Sequence, residues 1–362
     1  MGEPLRIGMV GAGKISGEYL DTLARLDSVR LTAVTDLDPA RAKEAARRAG
    51  EDVAVLPSAA ELVEREDVDA VLNLTVPAVH AGVAMTALAA GKHVYGEKPL
   101  GVSREEARDV LTAARAGGLR VGCAPDTVLG TGVQTARRAV DEGLLGTPVA
   151  ATAFMATGGP ERWHPDPEFY YRHGGGPLLD MGPYYLTSLV HLLGPVAEVS
   201  GIASRPRGRR TVGSGPRAGT GFDVEVDTHI SGVLRHANGV LTTLIMSFDI
   251  HAARLPRIEV HGVDGSLSVP DPNLFEGPVE FCPAGGDWRL LPPSAGYPGA
   301  GRGTGLADLA DALAAGRPHR ASGEVAEHVL DVMLTLLDAV RERVSLPVAG
   351  TCERPEAVTA GP

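Results

Sequence analysis

A glutamate and a lysine stand side by side where a short strand is expected to end. Val94–Tyr95 favours a strand and Pro99 stops it, so Glu97 and Lys98 lie at its carboxyl end. In an open α/β sheet, ligands bind at that edge. A partly desolvated lysine loses proton affinity, which suits it to acid–base chemistry near neutral pH, although a solvated turn is the alternative for this run on its own. The Lys98–Pro99 bond is also of the type that can be cis.

A carboxylate and a phenol lie four residues apart in a second stretch. Three consecutive glycines precede Pro177, which fits the start of a helix. In that helix Asp180 and Tyr184 lie on one face, because residues four apart are neighbours. Brought against Lys98 they would form a proton-transfer set; without it, an acid stabilised by the helix dipole and a packing tyrosine are the alternative. His191, two turns further on the same face, is expected to serve packing.

A glycine loop near the amino terminus predicts a phosphate site. The strand Leu5–Val10 runs into the loop, and a helical pattern follows. Such a loop turns backbone N–H groups and the positive end of the helix toward a phosphate. The loop consists of Gly11, Ala12, Gly13, Lys14, Ile15 and Ser16. The third glycine of the dinucleotide fingerprint is missing unless Gly17 substitutes for it.

An acid at the end of the second strand sets the expected cofactor. Val29–Thr35 ends in Asp36, whose carboxylate can accept from both hydroxyls of an adenosine ribose. An acid there repels a 2′-phosphate, so NAD is favoured over NADP. Arg41 moderates this preference, although a solvated helix face is its expected environment.

The rest of the chain supplies the elements that must position these groups. Strand and helix patterns alternate up to about residue 124, which is typical of a doubly wound parallel sheet. Longer alternating strands follow, and the turns His236–Gly239 and Asp264–Gly265 indicate hairpins of a large, open, mostly antiparallel sheet. We predict an α/β domain over 1–124, an α+β domain over 125–345 and a C-terminal tail over 346–362.

Three details of the second half are also predicted. A strand is expected over Val224–Leu234. Arg205–Gly221, rich in Arg, Gly and Pro, is interpreted as a mobile surface loop rather than a specific anion site. The tail after Leu346 is expected to be poorly ordered.

Composition excludes several classes of partner. The net charge of −11 argues against nucleic acid, because phosphate binding needs a basic surface. No apolar run approaches the length of a membrane span, and no signal-peptide pattern precedes the first strand. Cys123, Cys282 and Cys352 are few, odd in number and widely spaced, which fits a reducing cytoplasm and predicts neither a disulfide nor a metal framework.

Together the motifs resemble those of the glucose–fructose oxidoreductase / inositol dehydrogenase / rhizopine catabolism (Gfo/Idh/MocA) family of NAD(P)-dependent oxidoreductases. The resemblance covers nearly the whole chain. It rests on Gly11 to Ser16, Asp36, Thr75 to His80, Glu97-Lys98-Pro99, Trp163-His164 and Gly174 to Tyr184. It implies an N-terminal Rossmann domain, a C-terminal α+β domain whose open sheet often forms dimers or tetramers, and a reaction at a carbinol of a sugar, cyclitol or related polyol.

The resemblance also implies roles for individual residues. Lys98 corresponds to the catalytic lysine, and Asp180 to the conserved acid near it. Many members carry a histidine four residues after that acid, whereas here, as in some relatives, it is Tyr184. A nearby cation lowers the pKa of a phenol, so the exchange is chemically tolerable.

The residues expected around the two ligands follow from the same motifs. The predicted cofactor-binding residues are Gly11, Ala12, Gly13, Lys14, Ile15, Ser16, Asp36, Thr75, Val76, Pro77, His80, Glu97 and Lys98. For His80, capping its own helix is an equal alternative. Trp163 and His164 are expected to line the substrate pocket together with Asp126; for Trp163, packing between domains is the alternative.

These expectations define one hypothesis and two alternatives. The hydroxyl of a small polyol would lie between Tyr184 and Lys98, one of which takes its proton while hydride passes to the nicotinamide, and Asp180 would orient the substrate and tune the charge of Lys98. One alternative is a lyase or glycosidase that uses bound NAD in a transient redox cycle; the other is a non-catalytic, cofactor-sensing regulator. A homodimer or homotetramer through the C-terminal sheet is expected.

Overall fold

The chain forms two compact units in the computed structural model, which describes residues 3–50 and 52–359. The first unit takes the chain up to Gly130 and again over Tyr297–Leu330, and the second takes Thr131–Gly296 and the chain from Asp331 onward. The sequence predicts one contiguous domain over 125–345. The return of Tyr297–Leu330 to the first unit differs from that expectation, because helical periodicity does not tell which sheet a helix will pack against.

A parallel sheet forms the centre of the first unit. Its strands in the described residues are β1 (Leu5–Val10), β2 (Val29–Thr35), β3 (Ala54–Val55), β4 (Ala70–Asn73), β5 (His93–Gly96) and β6 (Val121–Cys123). Their order is β3-β2-β1-β4-β5-β6. The chain therefore winds outward in both directions from the β1–β4 pair, and the carboxyl ends of these two strands meet where ligands bind in such sheets. The predicted doubly wound parallel sheet is confirmed.

Helices connect these strands. They are α1 (Ser16–Leu23), α2 (Pro39–Ala49), α3 (Ala59–Val63), α4 (His80–Ala89) and α5 (Arg104–Gly117). Side-chain caps define where several of them begin: Asp38 accepts the Ala40 N–H of α2, and Ser103 accepts the Glu106 N–H of α5. Gly118, at φ 65°, ends α5 in the left-handed region that favours glycine.

A mixed sheet forms the core of the second unit, together with helices α6 (Thr131–Asp141) and α7 (Pro177–Leu193). The strands of this unit are β7 (Pro148–Ala156), β8 (Val196–Ser204), β9 (Arg209–Thr211), β10 (Gly221–Asp223), β11 (His229–His236), β12 (Leu241–Ser247), β13 (Ile258–Gly262), β14 (Gly265–Val269), β15 (Val279–Pro283), β16 (Arg289–Leu291) and β17 (Leu346–Pro347). The large sheet has the order β16-β15-β14-β13-β7-β12-β11-β8-β17. Only its β7–β12 pair is parallel among the described strands. The predicted large, mostly antiparallel sheet is confirmed.

Both predicted hairpins are present in this sheet. β11 pairs with β12, with Arg235 opposite Leu241, and Gly239 in the turn has φ 91°. β13 pairs with β14 across the second turn. The strand predicted from Val224 starts only at His229, because the Val224 N–H donates instead to the Gly208 carbonyl.

Helices cover one face of the large sheet. α7 contacts β7, β11 and β12. Two further helices lie between β16 and β17 in the chain, α8 (Thr304–Ala315) and α9 (Gly323–Glu342). Gly201 and Gly232 make room for Leu336 of α9, since a Cβ there would lie 2.8 and 3.2 Å from it. Ile202 and Val233 remain exposed on the sheet. No helix within the described ranges has the length and apolar character needed to cross a bilayer.

Two segments that were predicted to be mobile or poorly ordered are ordered, so both predictions are wrong. Within Arg205–Gly221, β9 pairs with β10, and the side chain of Arg210 is fully buried in ion pairs. The tail is packed through residue 359: Leu346 pairs with Val199, and the Val358 N–H donates to the side chain of Gln134. The Arg, Gly and Pro content of the first segment and the terminal position of the second indicated disorder, but hydrogen bonds to distant residues order them. Residues 360–362 of the predicted tail lie outside the described residues.

Candidate active site

The glycine loop follows β1 directly. Gly11 has φ 96°, and a Cβ on it would lie 2.8 Å from the Leu74 carbonyl carbon, so only glycine fits. Gly13 is different: a Cβ there would meet nothing within 4 Å among the described residues. Ser16 stands at the third position of the fingerprint, where its hydroxyl donates to the Gly13 carbonyl at 2.7 Å and α1 begins. The loop is thus closed toward the sheet and open beside Gly13.

Asp36 fixes the loop from the neighbouring strand. Its Oδ2 accepts the Ala12 N–H at 2.6 Å, and its Oδ1 accepts the Asp38 N–H at 2.8 Å. A carboxylate has about four acceptor positions, so both oxygens keep capacity for ribose hydroxyls. Arg41 instead pairs with Asp38 on the surface, in agreement with the solvated helix face expected for it.

The turn after β4 is ordered by Asn73. The Oδ1 of Asn73 accepts both the backbone N–H and the hydroxyl of Thr75, at 3.3 and 2.6 Å. Val76 and Pro77 follow in an exposed position. A ligand at this sheet edge therefore meets an apolar surface held by a polar turn.

His80 bridges two turns at the same edge. It is only 3% exposed, its Nδ1 lies 2.7 Å from the Pro99 carbonyl oxygen, and its Nε2 lies 3.0 Å from the Thr75 carbonyl oxygen. Both ring nitrogens are therefore engaged by backbone, and neither a cofactor contact nor a helix cap describes this geometry. The ring instead links the turn after β4 to the turn that carries Lys98.

Glu97 and Lys98 lie at the carboxyl end of β5, as predicted. The Glu97 N–H donates to the Asn73 carbonyl at 2.9 Å, which continues the parallel register beyond the strand. Its Oε2 accepts the Lys98 N–H at 3.2 Å, and its Oε1 accepts the hydroxyl of Tyr19 at 2.7 Å. The Lys98–Pro99 bond is cis. Behind this turn, burial raises the pKa of the Cys123 thiol, and the charge of Glu97 adds to that effect, so it is not a thiolate nucleophile.

Asp126 does not have the surroundings of a substrate contact. Its side chain is fully buried, and Oδ2 accepts the N–H groups of Gly303 and Gly305 at the start of α8, at 2.8 and 2.9 Å. Burial raises its pKa to about 6, although the two N–H groups oppose the shift. The predicted substrate role is thus corrected to a helix-capping role. No local pattern indicated this contact, because α8 begins far along the chain.

In the second unit, α7 carries the predicted acid and phenol. The helix begins at Pro177 after Gly176, whose φ is 95°, and the Asp180 N–H donates to the Gly176 carbonyl at 3.1 Å. Asp180 is partly exposed in the first turn, and Tyr184, one turn later, is 5% exposed. Their spacing puts them on one side of α7. His191 is fully buried on the same helix, as expected for packing.

An aromatic cluster precedes α7. The rings of Trp163 and His164 meet edge to face at 5.5 Å between centroids, and Trp163 is 59% exposed. Phe169 and Tyr170, which were not predicted, stack at 4.0 Å and contact His164. The aromatic cluster therefore offers ring faces to solvent in the segment that leads to Asp180.

A buried ion network lies beneath this segment. The guanidinium of Arg210 donates to Glu161 at 2.8 Å, to Asp249 at 2.6 Å and to the Phe248 carbonyl at 3.1 Å. Tyr171 donates to the same Glu161 carboxylate. These residues were missed because an isolated arginine in a polar loop gives no local signal of burial.

Comparisons with known proteins identify the chain. Residues 5–124 match the NAD-binding Rossmann fold of the oxidoreductase family, and residues 133–268 match the Gfo/Idh/MocA C-terminal domain. The chain is 30% identical over 268 residues to the 1,5-anhydro-D-fructose reductase of Ensifer adhaerens, a match that covers 72% of this chain and 74% of that enzyme. This chain belongs to the Gfo/Idh/MocA family of oxidoreductases.

Other Gfo/Idh/MocA relatives extend this picture. An inositol 2-dehydrogenase of Ralstonia nicotianae is 33% identical over 147 residues, which cover 40% of this chain and 44% of that enzyme. A levoglucosan dehydrogenase solved with NADH and L-sorbose has a TM-score of 0.81 at 20% identity and covers 96% of this chain and 100% of its own. At that identity the likeness shows the fold alone.

The first unit of this Gfo/Idh/MocA chain fits the NAD that its family binds. The open space beside Gly13 is where a phosphate can approach the backbone, and the two oxygens of Asp36 keep acceptor capacity for a ribose. Gly11 to Ser16, Asp36 and the Thr75–Pro77 turn are the residues that would hold the dinucleotide. The chain is thus an NAD-binding oxidoreductase. We call the edge of the sheet that carries these candidate residues the cofactor edge.

Proposed function

We propose that this oxidoreductase transfers hydride between NAD and a ring carbinol of a sugar, cyclitol or related polyol. The observation that carries the proposal is the position of the Lys98 turn, at the carboxyl end of β5 on the same sheet edge as the glycine loop. The names of the relatives agree with it, since they include a sugar reductase and a cyclitol dehydrogenase.

Lys98, Asp180 and Tyr184 carry the proton transfer in this proposal. The bound nicotinamide would accept or return the hydride. Lys98, as an ammonium, donates a hydrogen bond to the reacting oxygen and stabilises negative charge that develops there. Tyr184 supplies or takes the hydroxyl proton, and the Asp180 carboxylate orients the substrate.

Trp163 and His164 provide substrate contacts in the same proposal. The apolar C–H faces of a sugar ring suit exposed aromatic faces such as that of Trp163. Asp36 favours NAD over NADP, because its carboxylate would repel a 2′-phosphate.

The assembly is proposed to be a homodimer or homotetramer through the large sheet. Exposed Ile202 and Val233 on that sheet support an apolar interface, and light scattering would test it. A reducing cytoplasm is the proposed compartment, supported by the thiol state of Cys123, Cys282 and Cys352.

A panel of sugars and cyclitols, assayed with NAD or NADP by nicotinamide absorbance, tests the function. Lys98→Met should lower turnover by about 10²- to 10⁴-fold, because a proton-transfer group is lost, while the NAD dissociation constant stays within a few-fold. Lys43→Met, on the exposed side of α2, is the matched control and should keep wild-type turnover.

Two outcomes would contradict the proposal. Full turnover in Lys98→Met would remove Lys98 from the reaction. Substrate cleavage without net NADH would favour the transient redox cycle instead.

A further inference from the structure

A buried phenol lies directly beneath the turn that carries Lys98. Tyr19 is on α1, the helix that follows the glycine loop, and its side chain is 0% exposed. Its hydroxyl donates to Glu97 Oε1 at 2.7 Å. A helix that begins at the dinucleotide loop is thereby joined to the residue next to Lys98.

Glu97 connects this phenol to the backbone of Lys98. One carboxylate oxygen accepts the Tyr19 hydroxyl and the other accepts the Lys98 N–H at 3.2 Å, while the Glu97 N–H is bonded to Asn73. The Tyr19 hydroxyl and the Lys98 N–H are therefore bonded to the two oxygens of one carboxylate.

The charges around Glu97 make this hydroxyl important. Burial, together with the charge of Glu97, raises the pKa of Tyr19 well above its ordinary value, so it remains a donor at neutral pH. The charged or titratable groups that act on Glu97 and its neighbours are Tyr19 from α1, Tyr95 from β5, Lys98, Cys123 from β6, Asp126 after it and Arg302 before α8. Because this hydroxyl stays protonated, it can donate to the Glu97 carboxylate throughout the neutral pH range.

We propose that Tyr19 is a positioning residue for the dehydrogenase reaction, which holds Glu97 as a fixed carboxylate and through it orients Lys98. The inference rests on the proposed function for its consequence in turnover. The contact itself lies within the first unit and can be tested without substrate or cofactor.

Tyr19→Phe removes only the hydroxyl. We expect kcat to fall by about tenfold with the KM for NAD changed less than about twofold, because the cofactor residues are untouched and Lys98 is less well placed. Tyr297→Phe is the matched control. It removes a phenol-to-carboxylate bond of 3.2 Å, to Asp308, in the same unit, and should change neither quantity.

The readout that does not require activity uses the lysines. The chain has only four, Lys14, Lys43, Lys92 and Lys98, so ¹³Cε-lysine NMR of the cofactor-free protein resolves them, with Lys98→Met assigning its signal. The chemical shift of Lys98 should change in Tyr19→Phe and in Glu97→Gln, because each variant alters the bonds that join Tyr19, Glu97 and the Lys98 N–H. It should stay in place in Tyr297→Phe.

The possible outcomes separate this inference from the proposed function. A Lys98 signal that stays in place in Tyr19→Phe, or that moves equally in Tyr297→Phe, would overturn the role of Tyr19 even if the chain oxidises a polyol. If Tyr19→Phe does not fold, an unchanged Lys98 signal in Glu97→Gln overturns it in the same way. A shifted Lys98 signal in a chain that reduces no NAD with any polyol would keep the Tyr19–Glu97–Lys98 coupling and refute the dehydrogenase proposal.

Discussion

The cofactor edge of the first unit and the segment before α7 in the second unit are ordered by different interactions. At the cofactor edge, side chains bind backbone: Asp36 accepts the Ala12 N–H, and His80 lies against two carbonyl oxygens. Before α7, charged side chains bind one another, and Arg210 lies between Glu161 and Asp249. The first arrangement follows from where parallel strands end, whereas the second depends on three charges that are far apart in the chain.

This difference has an energetic consequence. A bond from a side chain to a backbone group contributes about 1 kcal/mol net, and its loss leaves a small defect. A buried ion network contributes little more stability than an apolar core would. Removing one member, however, leaves the other charges buried away from water without their partner. Single substitutions should therefore lower the stability of the segment before α7 more than that of the cofactor edge.

Arg210→Met gives the largest expected effect. It leaves the buried Glu161 without its cation and Asp249 with Arg207 alone, so the free energy of unfolding should fall by about 3–5 kcal/mol, measured by urea denaturation. The matched control is Arg217→Met, whose side chain is 45% exposed and pairs with Asp166 and Glu168; it should cost less than about 1 kcal/mol. Equal costs for the two variants would mean that the buried network does not order this segment.

Asp126→Asn should have the next largest effect, through pH. The folded pKa of about 6 lies above the ordinary 3.8, so the folded chain binds this proton more tightly than the unfolded chain. Its contribution to stability is therefore full below about pH 4, declines as the pH rises to about 6, and stays reduced above that, by about 2–3 kcal/mol in all. Asparagine does not ionise, so unfolding measured at about pH 4.5 and about pH 7.5 should show a smaller decline in the variant. Parallel pH profiles for wild type and variant would contradict this account of Asp126.

Sequence alone predicted the parts of the molecule whose signals are local. The ends of β2 and β5, with Asp36 and Lys98, follow from short apolar runs closed by polar or helix-breaking residues. The helix with Asp180 and Tyr184 follows from Pro177 and the glycines before it. All of these were found where the patterns indicated.

The parts that could not be predicted depend on contacts across long stretches of chain. Sequence alone predicts Asp126 to be a pocket acid, but its partner at the start of α8 is Gly303, 177 residues away. Sequence alone places Arg210 in a solvated loop, but its partner Glu161 lies 49 residues earlier in the chain. Charge and burial at such positions are properties of the fold, and a window of neighbouring residues does not contain them.

Gly13→Ala gives the smallest expected effect and tests the backbone character of the cofactor edge. Nothing lies within 4 Å of a Cβ at Gly13 among the described residues, so the free energy of unfolding should change little. The added methyl would occupy the space where a phosphate approaches the loop, so the NAD dissociation constant should rise about tenfold, or about 1.4 kcal/mol, in a fluorescence titration. Gly11→Ala is the contrasting variant: with φ 96° and backbone 2.8 Å away, its methyl should destabilise the fold itself. If Gly13→Ala bound NAD as tightly as wild type, the open side of the loop would not be the phosphate site. Charged side chains would then have to be considered as the phosphate ligands of the cofactor edge, and this difference between the two regions would disappear.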